Sequence, residues 1–392
     1  MFKKNIAIVG GSLNGLMAGW ELQKRGFNVT IFEASPRLQD YGAGLMLDPT
    51  FAESLLGLRH HPYQQRLVLG RHQEILWKKN VRKAAVSWGE LYRVLRSRIP
   101  SECLLEGKKV IAAENSDQGA TLTLSDKKEL FFDLVIGSDG AGSTVRRRVD
   151  PDFKVSYCGY VAVRGTLPLH DVPSDSQGLM THFQEGTFIN IWGDNTHMVL
   201  YLLPGDPPLL NWIWYRNTEV DELPTLLTDK TGVVHQWSLP RGMMPDATRQ
   251  LLLTEALQEF PSIATAAMQA TSDLFLQVIT QGVCDRFVNE QLVLMGDAAH
   301  IAVPHIGASV ALGSEDAETL AEALASGVDW KSALAQWARL RHEKATGDLA
   351  ISYRLGQALQ KSNTDGLSQK NLDHWWNELT AGRNLYFEER EK

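Results

Sequence analysis

Asn5-Ile-Ala-Ile-Val-Gly10-Gly11-Ser12-Leu13-Asn14-Gly15 is the stretch on which the reading of this 392-residue chain turns. An apolar run ends in glycine and passes into residues 13–25, where Leu13, Leu16, Met17, Trp20 and Leu22 fall largely on one helical face. Strand, tight turn and helix therefore follow one another. Gly26 ends the helix, and the β-branched run Asn28–Glu33 closes a βαβ unit. Small residues at such a turn let the backbone approach a pyrophosphate, and the helix start stabilises its charge. An acid at the end of the second strand, here Glu33, accepts from a ribose hydroxyl. Ser12 stands where the middle glycine of the pattern is usual, and its hydroxymethyl group is small enough for the same turn. The loop alone does not choose between dinucleotides, and a glycine-rich structural turn would show the same residues.

Composition sets the outer bounds. With 44% hydrophobic and 22% charged residues the chain is of ordinary globular type, long enough for two or three core-forming units. Lys and Arg number 39 against 46 Asp and Glu, a net charge of −7 that repels a phosphate backbone, so no nucleic-acid partner is expected. Cys103, Cys158 and Cys284 show no CxxC spacing, which excludes a disulfide framework and a zinc ribbon and points to a reducing cytoplasm. Lys3, Lys4 and the apolar residues after them could imitate a signal peptide, but Asn14, Glu21 and Lys24 interrupt the pattern. No run reaches the roughly 20 apolar residues that a membrane span needs.

Further along, residues 89–98 read as a helix, 108–113, 120–124 and 133–137 as strands, and 155 to about 240 as a β-rich region with turn clusters. Helices are expected over 250–270, 314–325 and 330–360, with a strand at 291–296. The tail from 361 is polar, and Trp375 and Trp376 suggest that part of it packs. Tyr160 and Arg164, and Trp212, Trp214 and Tyr215, alternate along strands, so that one face could line a pocket while the other packs.

Two further motifs specify the cofactor. The run Asp133-Leu-Val-Ile-Gly137-Ser-Asp139-Gly140-Ala-Gly142-Ser143-Thr-Val145-Arg146 resembles the D-x-x-x-G-A-D-G-x-x-S-x-V-R fingerprint of flavoprotein aromatic hydroxylases. Gly296-Asp297-Ala298-Ala299-His300, with Pro304, Gly307 and Glu315-Asp316-Ala317, resembles the same family's GD fingerprint, whose aspartate contacts the FAD ribityl chain. The resemblance covers nearly the whole chain and implies the p-hydroxybenzoate hydroxylase type of α/β fold: a Rossmann-like FAD domain, an inserted β-sheet substrate domain and C-terminal helices. VGGSLNGL, CGYVAVRG, LNWIWYRN and PHIGASVALGSEDA most resemble the branch of 2,6-dihydroxypyridine 3-hydroxylase.

The implied FAD domain comprises 1–76, 88–155 and 275–345, the substrate domain 77–87 and 156–274, and a C-terminal segment 346–392. Noncovalent FAD is implied on Gly10, Gly11, Ser12, Leu13, Asn14 and Gly15, on Glu33, Ala34 and Arg37, and on Gly44, Leu45 and Val110. Asp139, Gly296 and Asp297, then Gly307, Ala308, Ser309 and Val310, complete the set. The chain departs from the family at Gly307-Ala308-Ser309, where G-Q-G is usual, and at Trp88, where many members carry arginine. His305 after Pro304 lies where the family holds substrate; with an ordinary pKa near 6.5 it could take a phenolic proton, or merely orient or pack. Tyr215 is a second catalytic candidate, and Pro304, Tyr201, Tyr215 and His182 are candidate substrate contacts. His300 reads as structural, and an iron site of Asp297, His300 and His305 is not expected.

No second nucleotide-binding loop is found, so NAD(P)H would bind transiently. The implied activity is hydroxylation of an electron-rich aromatic or N-heteroaromatic molecule with O2, through a flavin C4a-hydroperoxide. Epoxidase or saturase chemistry on the same fold, and a non-catalytic flavin redox sensor, are the alternatives. A homodimer is left open.

Overall fold

The computed structural model describes residues 4–36, 44–55, 57–173, 181–183, 186–361, 372–374 and 377. Arg37, the residues up to 43, Trp375 and Trp376 lie outside the described residues. The chain forms two compact units: residues 1–40, 91–156 and 280–352 in one, and 41–90, 157–279 and 353–392 in the other.

The first unit is built on a six-stranded sheet in the order Val288–Asn289, Leu292–Leu294, Leu134–Gly137, Asn5–Val9, Asn28–Phe32, Leu104–Leu105. Asn5–Val9 pairs in parallel on both sides, with Leu134–Gly137 and Asn28–Phe32. A central parallel strand is covered on both faces, which is why Ile6, Ala7 and Ile8 form an unbroken apolar run and are fully buried. The stretch that could imitate a signal sequence is thus the middle of a sheet and the helix after it, Leu13–Lys24. A second, three-stranded antiparallel sheet holds Val110–Ser116 and Gly119–Leu124, which match the strands expected at 108–113 and 120–124, and adds Glu129–Phe132.

Helix Ala308–Ala325 packs against Leu13–Lys24 and starts six residues before the expected 314. Gly307 explains the difference: its left-handed backbone, φ 61° and ψ 25°, turns the chain directly into a helix. Asn14 is wedged between the two helices. A Cβ on Gly296 would come within 2.2 Å of its Nδ2, and one on Gly313 within 2.2 Å of its Oδ1.

The second unit is a twisted, mostly antiparallel sheet ordered Ser238–Leu239, Phe275–Val283, Ser156–Pro168, Leu209–Asn217, Thr196–Leu203, Thr187–Gly193, His61–Leu69, Ile75–Ser87, Gly44–Leu47. Here the expected boundaries give way. Residues 44–76, read as part of the nucleotide domain, hydrogen-bond into this sheet: His61–Leu69 pairs with Thr187–Gly193 and with Ile75–Ser87, and Gly44–Leu47 with Ile75–Ser87.

One face of the sheet packs Val161, Val163, Met198, Leu200, Trp212 and Trp214 with helices Asp246–Glu259 and Ser262–Ala270 in a single apolar core. The single helix expected over 250–270 is these two, because Pro261 has an extended backbone and cannot continue the first. Both faces of Leu209–Asn217 are buried, the one against the helices and the one expected to line a pocket. Ile213 and Tyr215, on the face away from Trp212 and Trp214, are as buried as their neighbours.

Candidate functional site

The first unit brings the three glycine and acid segments of the sequence together at the ends of its central strands. Gly10 has φ +103°, and a Cβ there would fall 2.3 Å from the Ser138 carbonyl oxygen; a Cβ on Gly15 would fall 1.9 Å from that of Gly10. Any larger side chain would fill the cradle. Ser12 caps helix Leu13–Lys24 in extended backbone without a side-chain cap bond, which leaves first-turn amides for another acceptor. Glu33 is buried, its Oε2 accepting from Gly11 N at 2.8 Å and its Oε1 from Ser35 N at 2.7 Å. A carboxylate has about four acceptor positions, so two remain for a ligand. Ala34 lies between these contacts, and Val110 is buried at the start of its strand, just beyond Lys108, whose amide donates to Glu33 O.

Arg146 ties the second motif to the third. Its guanidinium donates to the carbonyls of Asp297 at 3.3 Å, of Ala298 at 3.1 Å and of Ala141, while stacking on Phe153 at 4.2 Å. Asp139, expected at the cofactor, spends its oxygens on its own loop, accepting from Ser143 Oγ and from Thr144 N at 2.6 Å. Burial pushes its pKa up, and those bonds pull it back only in part. Asp297 differs. Among the described residues no hydrogen bond or ion pair ends on its carboxylate, and burial raises its pKa against the opposing charges of His300 and Arg146.

Beneath Gly296 lies a buried polar group that the sequence showed only as single letters. Asp316, wholly buried, accepts from Gly296 N at 3.0 Å, from His300 Nε2 at 2.7 Å and from Arg341 Nε at 2.6 Å. Burial lowers the pKa of His300, but Asp316 more than compensates and leaves it raised; burial raises Asp316, and His300 with Arg341 brings it below the usual value. His300 is therefore structural, as expected. Arg341 had no sequence signal beyond its place on a long helix.

His305 sits buried in the single turn Pro304–Ile306, where Ser352 Oγ holds the preceding Val303 carbonyl at 2.8 Å. Gly307, Ser309 and Val310 form the corner and first turn of helix Ala308–Ala325. Among the described residues no group of His, Cys, Asp and Glu could hold a metal ion.

The remaining candidates belong to the second unit. Gly44 and Leu45 lie on its sheet, where a Cβ on Gly44 would meet the Tyr201 hydroxyl. Tyr201 and Tyr215 point to the face away from the helices. Tyr201 is stacked on Phe188 at 5.3 Å and Tyr215 on His197 at 4.7 Å. Burial lifts both phenols, Tyr201 to about 12, with Arg164 opposing. Neither is poised to ionise near neutrality. His182 is half-buried in residues 181–183.

The residues of the first unit fit FAD. They supply a glycine cradle, an uncapped helix start, a carboxylate in Glu33 with acceptor capacity to spare, and in Asp297 a carboxylate without a partner among the described residues. An FAD-binding-domain-like family description matches residues 157–281, and an NAD(P)-binding Rossmann-like one matches residues 8–39. The chain is 27% identical over 345 residues to 2,6-dihydroxypyridine 3-monooxygenase of Paenarthrobacter nicotinovorans, covering 85% of each protein. It is 25% identical over 384 residues to aurachin C monooxygenase/isomerase of Stigmatella aurantiaca, covering 91% of this chain and 90% of that protein. The structure of 2,6-dihydroxypyridine-3-hydroxylase from Arthrobacter nicotinovorans superposes with a TM-score of 0.86 at 26% identity, over 94% of this chain and 97% of that one.

Proposed function

We propose that this chain, related to the FAD-dependent aromatic hydroxylases of the p-hydroxybenzoate hydroxylase fold, is a monooxygenase that hydroxylates an electron-rich aromatic or N-heteroaromatic small molecule. NAD(P)H is its transient reductant and O2 its second substrate. The observation that carries the reading is the convergence of Gly10–Gly15, Glu33 and Asp297 on one cradle, in a chain similar along most of its length to two monooxygenases.

FAD, when bound, supplies hydride acceptance and the activation of oxygen for transfer of one of its atoms. The chain does the rest. Gly10, Gly15 and the start of helix Leu13–Lys24 receive the pyrophosphate, Glu33 the ribose and Asp297 the ribityl hydroxyls. His305, buried on its short turn, takes the proton of the substrate's ring hydroxyl and makes the ring more electron-rich.

The test is a panel of hydroxylated aromatics and N-heterocycles added to FAD-loaded protein with NADH or NADPH. Oxidation stimulated by a panel member, with O2 consumed and a product one oxygen atom heavier, is the expected result. Flavin binding without stimulated oxidation by any of them refutes the catalytic reading in favour of a sensor, and a product that has lost hydrogen without gaining oxygen favours a saturase.

A further inference from the structure

Three strands of the second unit set a row of side chains across the face away from the helices. Thr166 is directly opposite Asn211, and Asn211 directly opposite Tyr201. Residues paired across neighbouring strands point to the same face. Asn211 is 1% exposed, yet its Nδ2 meets no acceptor, and its Oδ1 takes no hydrogen bond among the described residues. Leaving such a group unmet is costly, so buried amides are nearly always satisfied. On the strand flanking Asn211, Arg164 pairs with Ile213, two residues along. Its Nη1 reaches Gln277 at 3.2 Å, its Nε is unmet, and among the described residues no carboxylate pairs with it. Arg241 donates to Thr166 Oγ1 at 3.1 Å, and both guanidiniums lie over the Phe275 ring, at 5.0 Å for Arg241 and 5.5 Å for Arg164.

An asparagine side chain offers one donor and one acceptor side by side. Its complement is a ring carbonyl or oxido oxygen next to a ring N–H, and the guanidiniums favour negative charge on that oxygen. We infer that Asn211 is the specificity-determining residue for substrate: it recognises the lactam edge of an N-heteroaromatic ring, donating from Nδ2 to the ring oxygen and accepting at Oδ1 from the ring nitrogen. This deepens the substrate class of the function proposed above and rests on that reading for its place in catalysis. The recognition itself is independent of turnover. Asn190, on the same face, keeps one bond within the sheet, its Oδ1 accepting from Arg66 at 3.2 Å while its Nδ2 is also unmet; Asn211 keeps neither among the described residues.

The experiment is calorimetric titration of FAD-loaded protein without NAD(P)H, using matched probes: 2-pyridone against phenol, and 2-quinolone against 1-naphthol. Wild-type protein should bind the lactam member of at least one pair about tenfold or more tightly than its carbocyclic partner. Asn211→Leu should abolish that preference, weakening the lactam about tenfold while leaving the carbocycle within about twofold. Its melting temperature without ligand should equal or exceed that of wild type, since an unmet polar group is replaced by an apolar one. Asn211→Ser, which folds more safely but cannot make both contacts, should lose the same preference. No lactam preference in wild type, preference retained in the Ser variant, or a Leu variant that melts lower or does not fold overturns the inference. Lactam binding through Asn211 without stimulated NAD(P)H oxidation leaves it standing and refutes the monooxygenase reading; stimulated oxidation without lactam preference does the reverse.

Discussion

Asp297 is a carboxylate with its pKa raised by burial and no partner of its own among the described residues, so what it binds should be visible in its protonation. Hydroxyl donors favour the charged form, and bound FAD would therefore lower its pKa and release a proton wherever the free protein holds one. FAD affinity should fall as pH drops through the Asp297 pKa. Asp297→Asn should bind FAD about ten- to a hundredfold more weakly near neutrality and show a flatter pH profile, both read by flavin fluorescence titration. Glu33→Gln replaces one of two oxygens that face backbone N–H groups with another donor. Weaker FAD binding together with a lower melting temperature is expected; unchanged affinity would remove Glu33 from the site. His305→Ala should retain FAD and stability while product formed per NAD(P)H falls, with turnover reduced about 10²–10⁴-fold. At this scale the sequence singled out candidates where chemistry depends on residue type, as at Glu33 and Asp297. It was silent on Asn211 and Arg341, whose roles depend on what the tertiary fold puts beside them.

Between elements, the contact that matters is Asn14 held by Gly296 and Gly313, since it joins helix Leu13–Lys24 to helix Ala308–Ala325 under the cofactor cradle. Gly313→Ala should displace the amide and lower stability by about 1–3 kcal/mol. Adding Asn14→Ala should recover part of that loss, because the two changes share one space; a denaturation double-mutant cycle gives the coupling, and strict additivity would refute the wedge. The strands and the first helix were legible because their periodicity is strong and local. The early start at Ala308 was not, since it depends on the left-handed backbone of Gly307, nor the break at Pro261, where apolar spacing continues across the gap. Alternation along Leu209–Asn217 separated its two faces correctly, but period two reports which side a residue takes and says nothing of what covers it.

For the molecule as a whole, the buried group under Gly296 gives stability a pH window. The raised pKa of His300 means that its contribution is full below the unfolded value of about 6.5 and is lost as pH rises through the folded one. The lowered pKa of Asp316 means that its contribution is present above about 3.9 and is lost as pH falls through the folded value. Melting temperature should therefore peak in mildly acidic to neutral buffer, and His300→Gln should lower the peak and flatten the alkaline limb. No helix among the described residues is long and apolar enough to cross a membrane. The fold type was legible from three motifs in order, but the assignment of 44–76 was not, because its strand His61–Leu69 finds a partner more than a hundred residues away. The same interleaving governs how the protein is born. Leu134–Gly137 waits for Leu292–Leu294, so a nascent chain on the ribosome holds the sheet around its first βαβ unit unfinished until three-quarters of the polypeptide has emerged. A gene split between residues 156 and 280 should yield two halves that are each insoluble and regain flavin only when translated together.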